Sequence, residues 1–119
     1  GGNPLGAVVA KESIKFALNK NLSKNATDMG NLFRENLERL RTKYKLIKNI
    51  RGKGLLNAIV LDCEETSKVP WQLSLKMRDN GVLAKPTQGN KIRFAPPLII
   101  NKKQILKAIK LIDTSFSEL

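Results

Sequence analysis

Apolar residues recur along the chain at two different periods. After Asn3-Pro4, Leu5, Val8, Val9, Phe16 and Ala17 fall near helical spacing. Asn suits an N-cap and Pro suits the first turn, so a helix is predicted from about Pro4 to Lys20. Ser23 is the expected cap of a second helix. Its stripe is Ala26, Met29, Phe33, Leu37 and Leu40, with Arg34 and Glu38 expected to pair at i,i+4 on the outside. Gly30 interrupts that stripe at about 1 kcal/mol of helix propensity, and a glycine there permits close packing.

From Lys45 the period shortens. Leu46, Ile47 and Ile50 predict a short strand, which Gly52-Lys53-Gly54 interrupts. Leu55 to Leu61 reads as a buried strand. Asp62 to Val69 is polar and predicts a loop. Pro70 opens a helix carrying Trp71, Leu75 and Met77, and Asn80-Gly81 closes it, Gly81 suiting the left-handed C′ position. Val82 to Lys85 is a further strand candidate and Pro86 to Asn90 a turn. Lys91 to Ala95 alternates cleanly, with Ile92 and Phe94 on one side and Arg93 on the other. Pro96-Pro97 stops that strand. Asn101 and Gln104 predict a capping box, after which Ile105, Ile109, Ile112 and Phe116 line a last helix.

The predicted order is helix, helix, strand, strand, helix, strand, strand, helix. It implies an α+β domain, a small and mainly antiparallel sheet with helices packed on one face. A length of 119 residues suits one such domain. No apolar run approaches the roughly 20 residues of a membrane span, and no signal peptide is evident at Gly1-Gly2-Asn3-Pro4. A start without Met is expected of a segment from within a longer chain.

Composition narrows the chemistry. With no histidine, Ser-His and Cys-His pairs and histidine-bound metals are excluded within the chain. The single cysteine, Cys63, excludes an internal disulfide and a cysteine-based zinc cluster. The net charge of +12 raises the alternative of a basic module that contacts nucleic acid or an acidic partner. Basic residues do thicken from Arg39 to Lys53, but only Tyr44 is interleaved with them, so a solvated basic face is the preferred reading.

Few residues remain as candidates for chemistry. Gly52-Lys53-Gly54 lacks the spacing and the following helix of a phosphate-binding loop, which leaves a bulge or a tight turn. Lys85 has no local feature that would lower its pKa for Schiff-base work. Cys63 has no histidine partner and lies between Asp62 and Glu64, and Asp79 is read as finishing its helix. Arg93 stands apart. It lies at the end of a strand stiffened by two prolines, and a rigid guanidinium can hold a carboxylate by two hydrogen bonds. The local sequence by itself favours an ordinary surface arginine.

Four segments shift that balance. Gly1 to Gly6, Arg51 to Val60, Arg78 to Thr87 and Ile92 to Leu98 resemble, in order and spacing, the C-terminal part of class III aminotransferases. Within that class they are most similar to the branch that acts on ornithine. The resemblance implies the small domain of a fold-type I pyridoxal-phosphate enzyme, spanning residues 1–119, with the large cofactor-binding domain absent. It implies transfer of the δ-amino group of ornithine to 2-oxoglutarate, giving glutamate semialdehyde and glutamate, a step toward proline. It also implies a homodimer, in the mitochondrial matrix or the cytoplasm.

By the same resemblance Arg93 is the substrate-binding residue. It pairs with a large-domain glutamate while ornithine is bound and is freed to hold the α-carboxylate of glutamate or 2-oxoglutarate. The Schiff-base lysine and the aspartate on the pyridine nitrogen belong to the large domain. A hydroxyl residue that binds the cofactor phosphate across the dimer would precede Gly1. Gly1 to Asn3 are expected near the subunit boundary without being ligands. No catalytic, cofactor-binding or metal-binding residue is therefore expected in this chain, which would neither bind pyridoxal phosphate nor turn over alone. Two departures stand out: Gln88 where close relatives usually carry histidine, and an unusually basic composition.

Overall fold

The computed structural model describes residues 20–87 and 89–119. The helix expected over Pro4 to Lys20, the Gly1 to Asn3 segment and Gln88 lie outside the described residues. Helix α1 spans Lys20–Lys43, β1 Ile47–Lys53, β2 Leu56–Leu61, α2 Val69–Asp79, β3 Lys85–Thr87, β4 Lys91–Phe94 and α3 Lys102–Ser117. The four strands form one sheet in the order β1-β2-β4-β3, and every neighbouring pair is antiparallel. This is the expected α+β arrangement of helices against a small antiparallel sheet.

The core lies between the helices and one face of the sheet. Ile59, Leu61, Ile92 and Phe94 from the strands meet Phe33, Leu37 and Leu40 of α1, Leu73 and Met77 of α2, and Ile105, Ile112 and Phe116 of α3. Phe33 and Phe94 pack edge to face, with ring centroids 5.4 Å apart. Val60 is buried but lies outside this core. It pairs with Lys91 and Asn49, so it belongs to the opposite face.

Hydrogen bonding sets the element ends. Asn101 caps α3: its side chain accepts from the Gln104 N–H at 2.9 Å, and its own N–H donates to the Gln104 side chain at 3.0 Å. Gly81, at φ 99°, ends α2. The Val82 N–H donates to the Met77 carbonyl at 2.7 Å and the Gly81 N–H to the Arg78 carbonyl at 3.0 Å, the two bonds of a Schellman motif. Val82 and Met77 are both buried, completing its apolar contact.

Several local expectations need correction. Ser23 lies inside α1 and does not cap it. Val82 to Lys85 is not a strand, because Gly81 and Val82 are engaged in closing α2. Pairing starts at Lys85, opposite Arg93, and runs through Pro86 to Thr87. Pro86 is tolerated because β3 is an edge strand. Trp71 is not on the buried stripe of α2 but 57% exposed; Pro70, Leu73, Ser74 and Met77 form that stripe instead. Gly52 and Lys53 do not interrupt β1 but end it.

The turn itself is Gly54-Leu55. Gly54 has φ 58° and occupies the first loop position, where glycine sits in type II′ hairpins. This hairpin docks on α1 at Gly30. A Cβ on Gly30 would stand 2.0 Å from the Gly54 carbonyl oxygen, so the close packing expected of that glycine is present. Arg34 is turned toward the same carbonyl and not toward Glu38, contrary to the i,i+4 expectation. It donates to Gly54 O at 2.8 Å and to Asn57 Oδ1 at 2.6 Å. Glu38 pairs with Arg41 at 2.7 Å.

Candidate functional site

Arg93 is placed by packing on the other side of its strand. Ile92 and Phe94 flank it and are buried, and alternation sends the Arg93 side chain to the outer face. Beyond the strand, Pro96-Pro97 restrict the chain. The Asn25 side chain then donates to the carbonyls of Leu98 and Ile100, both at 2.9 Å, and ties the exit to α1. An exposed guanidinium thus rises from a backbone fixed on both sides.

Cross-strand register sets its neighbours. Arg93 pairs with Lys85 on β3 and with Ala58 on β2, and Ala58 pairs with Arg51 on β1. Partners directly opposite share a face. Lys85, Arg93, Ala58 and Arg51 therefore form one row across the outer face of the sheet. The strands together carry Lys48, Arg51, Lys53, Lys85, Lys91 and Arg93 and not one acidic residue. None of the ion pairs among the described residues involves these six side chains. The strands, not only the segment from Arg39 to Lys53, thus account for much of the basic excess.

A concavity of about 270 Å³ opens beside Arg93, lined by Leu83, Ala84, Lys85, Arg93 and Ala95. Its walls combine two cations with small or aliphatic side chains. Two cations so placed attract an anion such as a carboxylate. Because no strand bears an aromatic residue except Phe94, which is buried, the outer face offers no base-stacking platform.

The remaining candidates lie apart from this arrangement. Lys85 is exposed and lacks the apolar enclosure that Schiff-base lysines use. Cys63 is half-buried beyond β2, and Asp79 ends α2 beside Arg78 at 3.7 Å. Gly52 serves packing: a Cβ there would stand 2.0 Å from Asn57 Oδ1. Among the described residues no group of acidic or cysteine side chains could hold a metal.

The perturbed titrations mark a structural clamp and not this site. Asp113 on α3 accepts from the Tyr44 hydroxyl and from Lys43 Nζ at 2.9 and 3.0 Å, joining the end of α1 to α3. The hydrogen bond from Tyr44, then that from Lys43, holds Asp113 below the usual carboxylate range. The same bonds to Asp113 raise Tyr44 and Lys43. This cluster belongs to the helical layer, whereas Arg93 faces outward from the sheet.

Sequence reasoning reached Arg93 and missed its partnership with Lys85. The available signal was the near symmetry of Lys85-Pro86-Thr87 and Lys91-Ile92-Arg93 about the turn at Gly89-Asn90, which sets Lys85 opposite Arg93.

Residues 1–116 match the family described as Aminotransferase class-III. Ornithine aminotransferase of Schizosaccharomyces pombe is 42% identical over 120 residues, which cover 100% of this chain and 27% of that protein. The mitochondrial ornithine aminotransferase of Rattus norvegicus is 41% identical, with 95% of this chain and 25% of that protein covered. Among solved structures, acetylornithine aminotransferase of Elizabethkingia anophelis superposes with a TM-score of 0.86 at 45% identity, over 100% of this chain and 31% of that one. Ornithine aminotransferase of Toxoplasma gondii gives 0.75 at 39% identity, over 98% and 27%. The chain spans about a quarter of the length of the curated relatives it matches. It belongs to the class-III aminotransferase family.

Proposed function

From that membership, we propose that the chain acts as the C-terminal small domain of an ornithine aminotransferase, in which Arg93 is the receptor for the substrate carboxylate. The supporting observation is Arg93 itself: exposed, held on a strand fixed from behind, and without an acidic neighbour on the sheet. The reaction would convert ornithine and 2-oxoglutarate to glutamate semialdehyde and glutamate. Among the relatives are ornithine aminotransferases of fungi and animals, and the Toxoplasma gondii structure holds pyridoxal phosphate at partial occupancy. Pyridoxal phosphate would be the electron sink, held by the rest of the polypeptide and a second subunit.

Within this reading the chain's own task is recognition. Ornithine presents an ammonium toward the reacting centre, and 2-oxoglutarate presents a carboxylate. A fixed guanidinium favours the second, so it must be neutralised for the first. An ion pair with a carboxylate of the large domain does this reversibly, and one pocket then serves both substrates. Several relatives are described as mitochondrial, so the matrix is the proposed compartment for such a protein, with the cytoplasm as the alternative. No helix among the described residues is long and apolar enough to cross a membrane.

The test is Arg93→Lys in the longer polypeptide, with the two half-reactions measured separately. Lysine keeps the charge and loses the two-pronged geometry. The 2-oxoglutarate half-reaction is expected to fall by about 100-fold, on the order of 3 kcal/mol of transition-state binding. An unchanged 2-oxoglutarate half-reaction would remove Arg93 from the proposed role.

A further inference from the structure

We propose that Lys85 is a specificity-determining residue: it shares with Arg93 the carboxylate of a short aliphatic dicarboxylate and disfavours a cationic end at the same place. The reaction it would tune is that of the preceding reading. Anion binding by the pair depends instead on the register of β3 and β4, which sets Lys85 opposite Arg93.

Lys85 is the direct cross-strand partner of Arg93, and the two line one concavity. Opposed residues of antiparallel strands have Cβ atoms about 5 Å apart, within reach of one carboxylate for two long side chains. Like charges placed directly opposite are unfavourable to a sheet. No strand carries an acid that would relieve them, and neither side chain has an ion pair among the described residues. An anion between them removes that repulsion and gains from both cations. Arg93 supplies planar, two-pronged geometry, and Lys85 supplies a compact point charge.

The rest of the wall fits the same ligand class. Leu83 is 84% exposed and, with Ala84 and Ala95, offers apolar surface to a methylene stem. Pro86 fixes the backbone next to Lys85, and pairing with β4 holds it on the other side. A diamine or an ammonium end meets two cations and is repelled. Selectivity here therefore has both an attractive and a repulsive part.

The deciding experiment is an amide-shift titration of the 119-residue chain with glutarate, which has the two carboxylates and no keto group. Putrescine serves as the cationic control. Glutarate is expected to move the Lys85 and Arg93 resonances, with affinity reduced about five- to tenfold in Lys85→Gln and recovered in Lys85→Arg. Putrescine is expected to move neither. Dispersed spectra of both variants report that the fold is intact. Shifts scattered over many lysines, or unchanged affinity in Lys85→Gln, would overturn the proposal.

In the longer polypeptide, Lys85→Gln is expected to raise the KM for 2-oxoglutarate by a similar factor. The KM for ornithine is expected to fall, because one of the two cations that repel its ammonium end is gone, and opposite shifts of the two KM values are a split that a general loss of structure would not give. If the longer protein does not transaminate ornithine but glutarate behaves as expected, the reaction is wrong and Lys85 stands. If it does transaminate and Lys85→Gln changes neither glutarate affinity nor KM, the reaction stands and Lys85 falls.

Discussion

Two arginines in this chain meet opposite fates. Arg34 points into the β1-β2 hairpin and donates to Gly54 O, to Asn57 Oδ1 and to Asn31 Oδ1. Asn57 is 2% exposed and donates in turn to Gly54 O at 3.2 Å. Arg34 is thus spent on protein acceptors. Arg93 stands on an equally fixed backbone, with its guanidinium exposed and without an ion pair among the described residues. Residue type does not separate a bonded arginine from an open one. The separation comes from whether the fold has already supplied acceptors.

The contrast is most sharply broken at the docking point that closes the hairpin. In Gly30→Ala the new methyl would meet the Gly54 carbonyl, a backbone group that cannot swing away as a side chain would. Alanine gains about 1 kcal/mol of helix propensity, but overpacking against a rigid backbone group costs about 3 kcal/mol, so a net loss of about 2 kcal/mol is expected. The urea midpoint measures it. An unchanged midpoint would show that the hairpin docks more loosely than its contacts imply.

The next test exchanges the two arginines' consequences. Arg34→Leu leaves Asn57 Oδ1 without its cationic donor and is expected to cost about 2 kcal/mol. Arg93→Leu removes no bond within the described residues and is expected to stay within about 0.5 kcal/mol. Equal losses in urea unfolding would mean that Arg93 is structural too, which would weaken its assignment to a ligand.

The same pair shows what sequence can and cannot deliver. The outward direction of Arg93 was legible because Ile92 and Phe94 alternate around it, and strand geometry converts alternation into a face. The Asn101-Gln104 cap and the Gly81 helix end were legible because both are local chemistry. The partner of Arg34 was not, since its acceptors lie 20 and 23 residues away across a hairpin dock. Trp71 is not legible as exposed, because its size and apolarity suggest burial while the buried i, i+3, i+4, i+7 stripe includes the less conspicuous Pro70 and Ser74. The α3 stripe of Ile105, Ile112 and Phe116 was found because nothing competed with it. The role proposed for Arg93 rests on family resemblance, and the position of Lys85 opposite it is set by the strand register.

The clamp of Lys43, Tyr44 and Asp113 sharpens the comparison with the smallest expected effect. Like Arg34 it is closed within the protein, yet its groups titrate, so pH can open it. Asp113 has a folded pKa below its unfolded value, first through the Tyr44 hydrogen bond and then through Lys43. Its contribution is therefore complete above the ordinary carboxylate pKa of about 4 and is lost as pH falls through the lower folded value. Tyr44 and Lys43 are raised, so their contributions are complete below about pH 10 and are lost as pH rises through their folded values. The urea midpoint should hold a plateau between those limits and decline on both sides. Asp113→Asn should lower the plateau slightly, because the Lys43 contact is largely exposed and solvent-screened, and should flatten the acid decline. Arg93→Leu should leave the whole profile in place. A flattened acid decline in that variant would tie Arg93 to a carboxylate of this chain, and the open arginine would then prove as closed as Arg34.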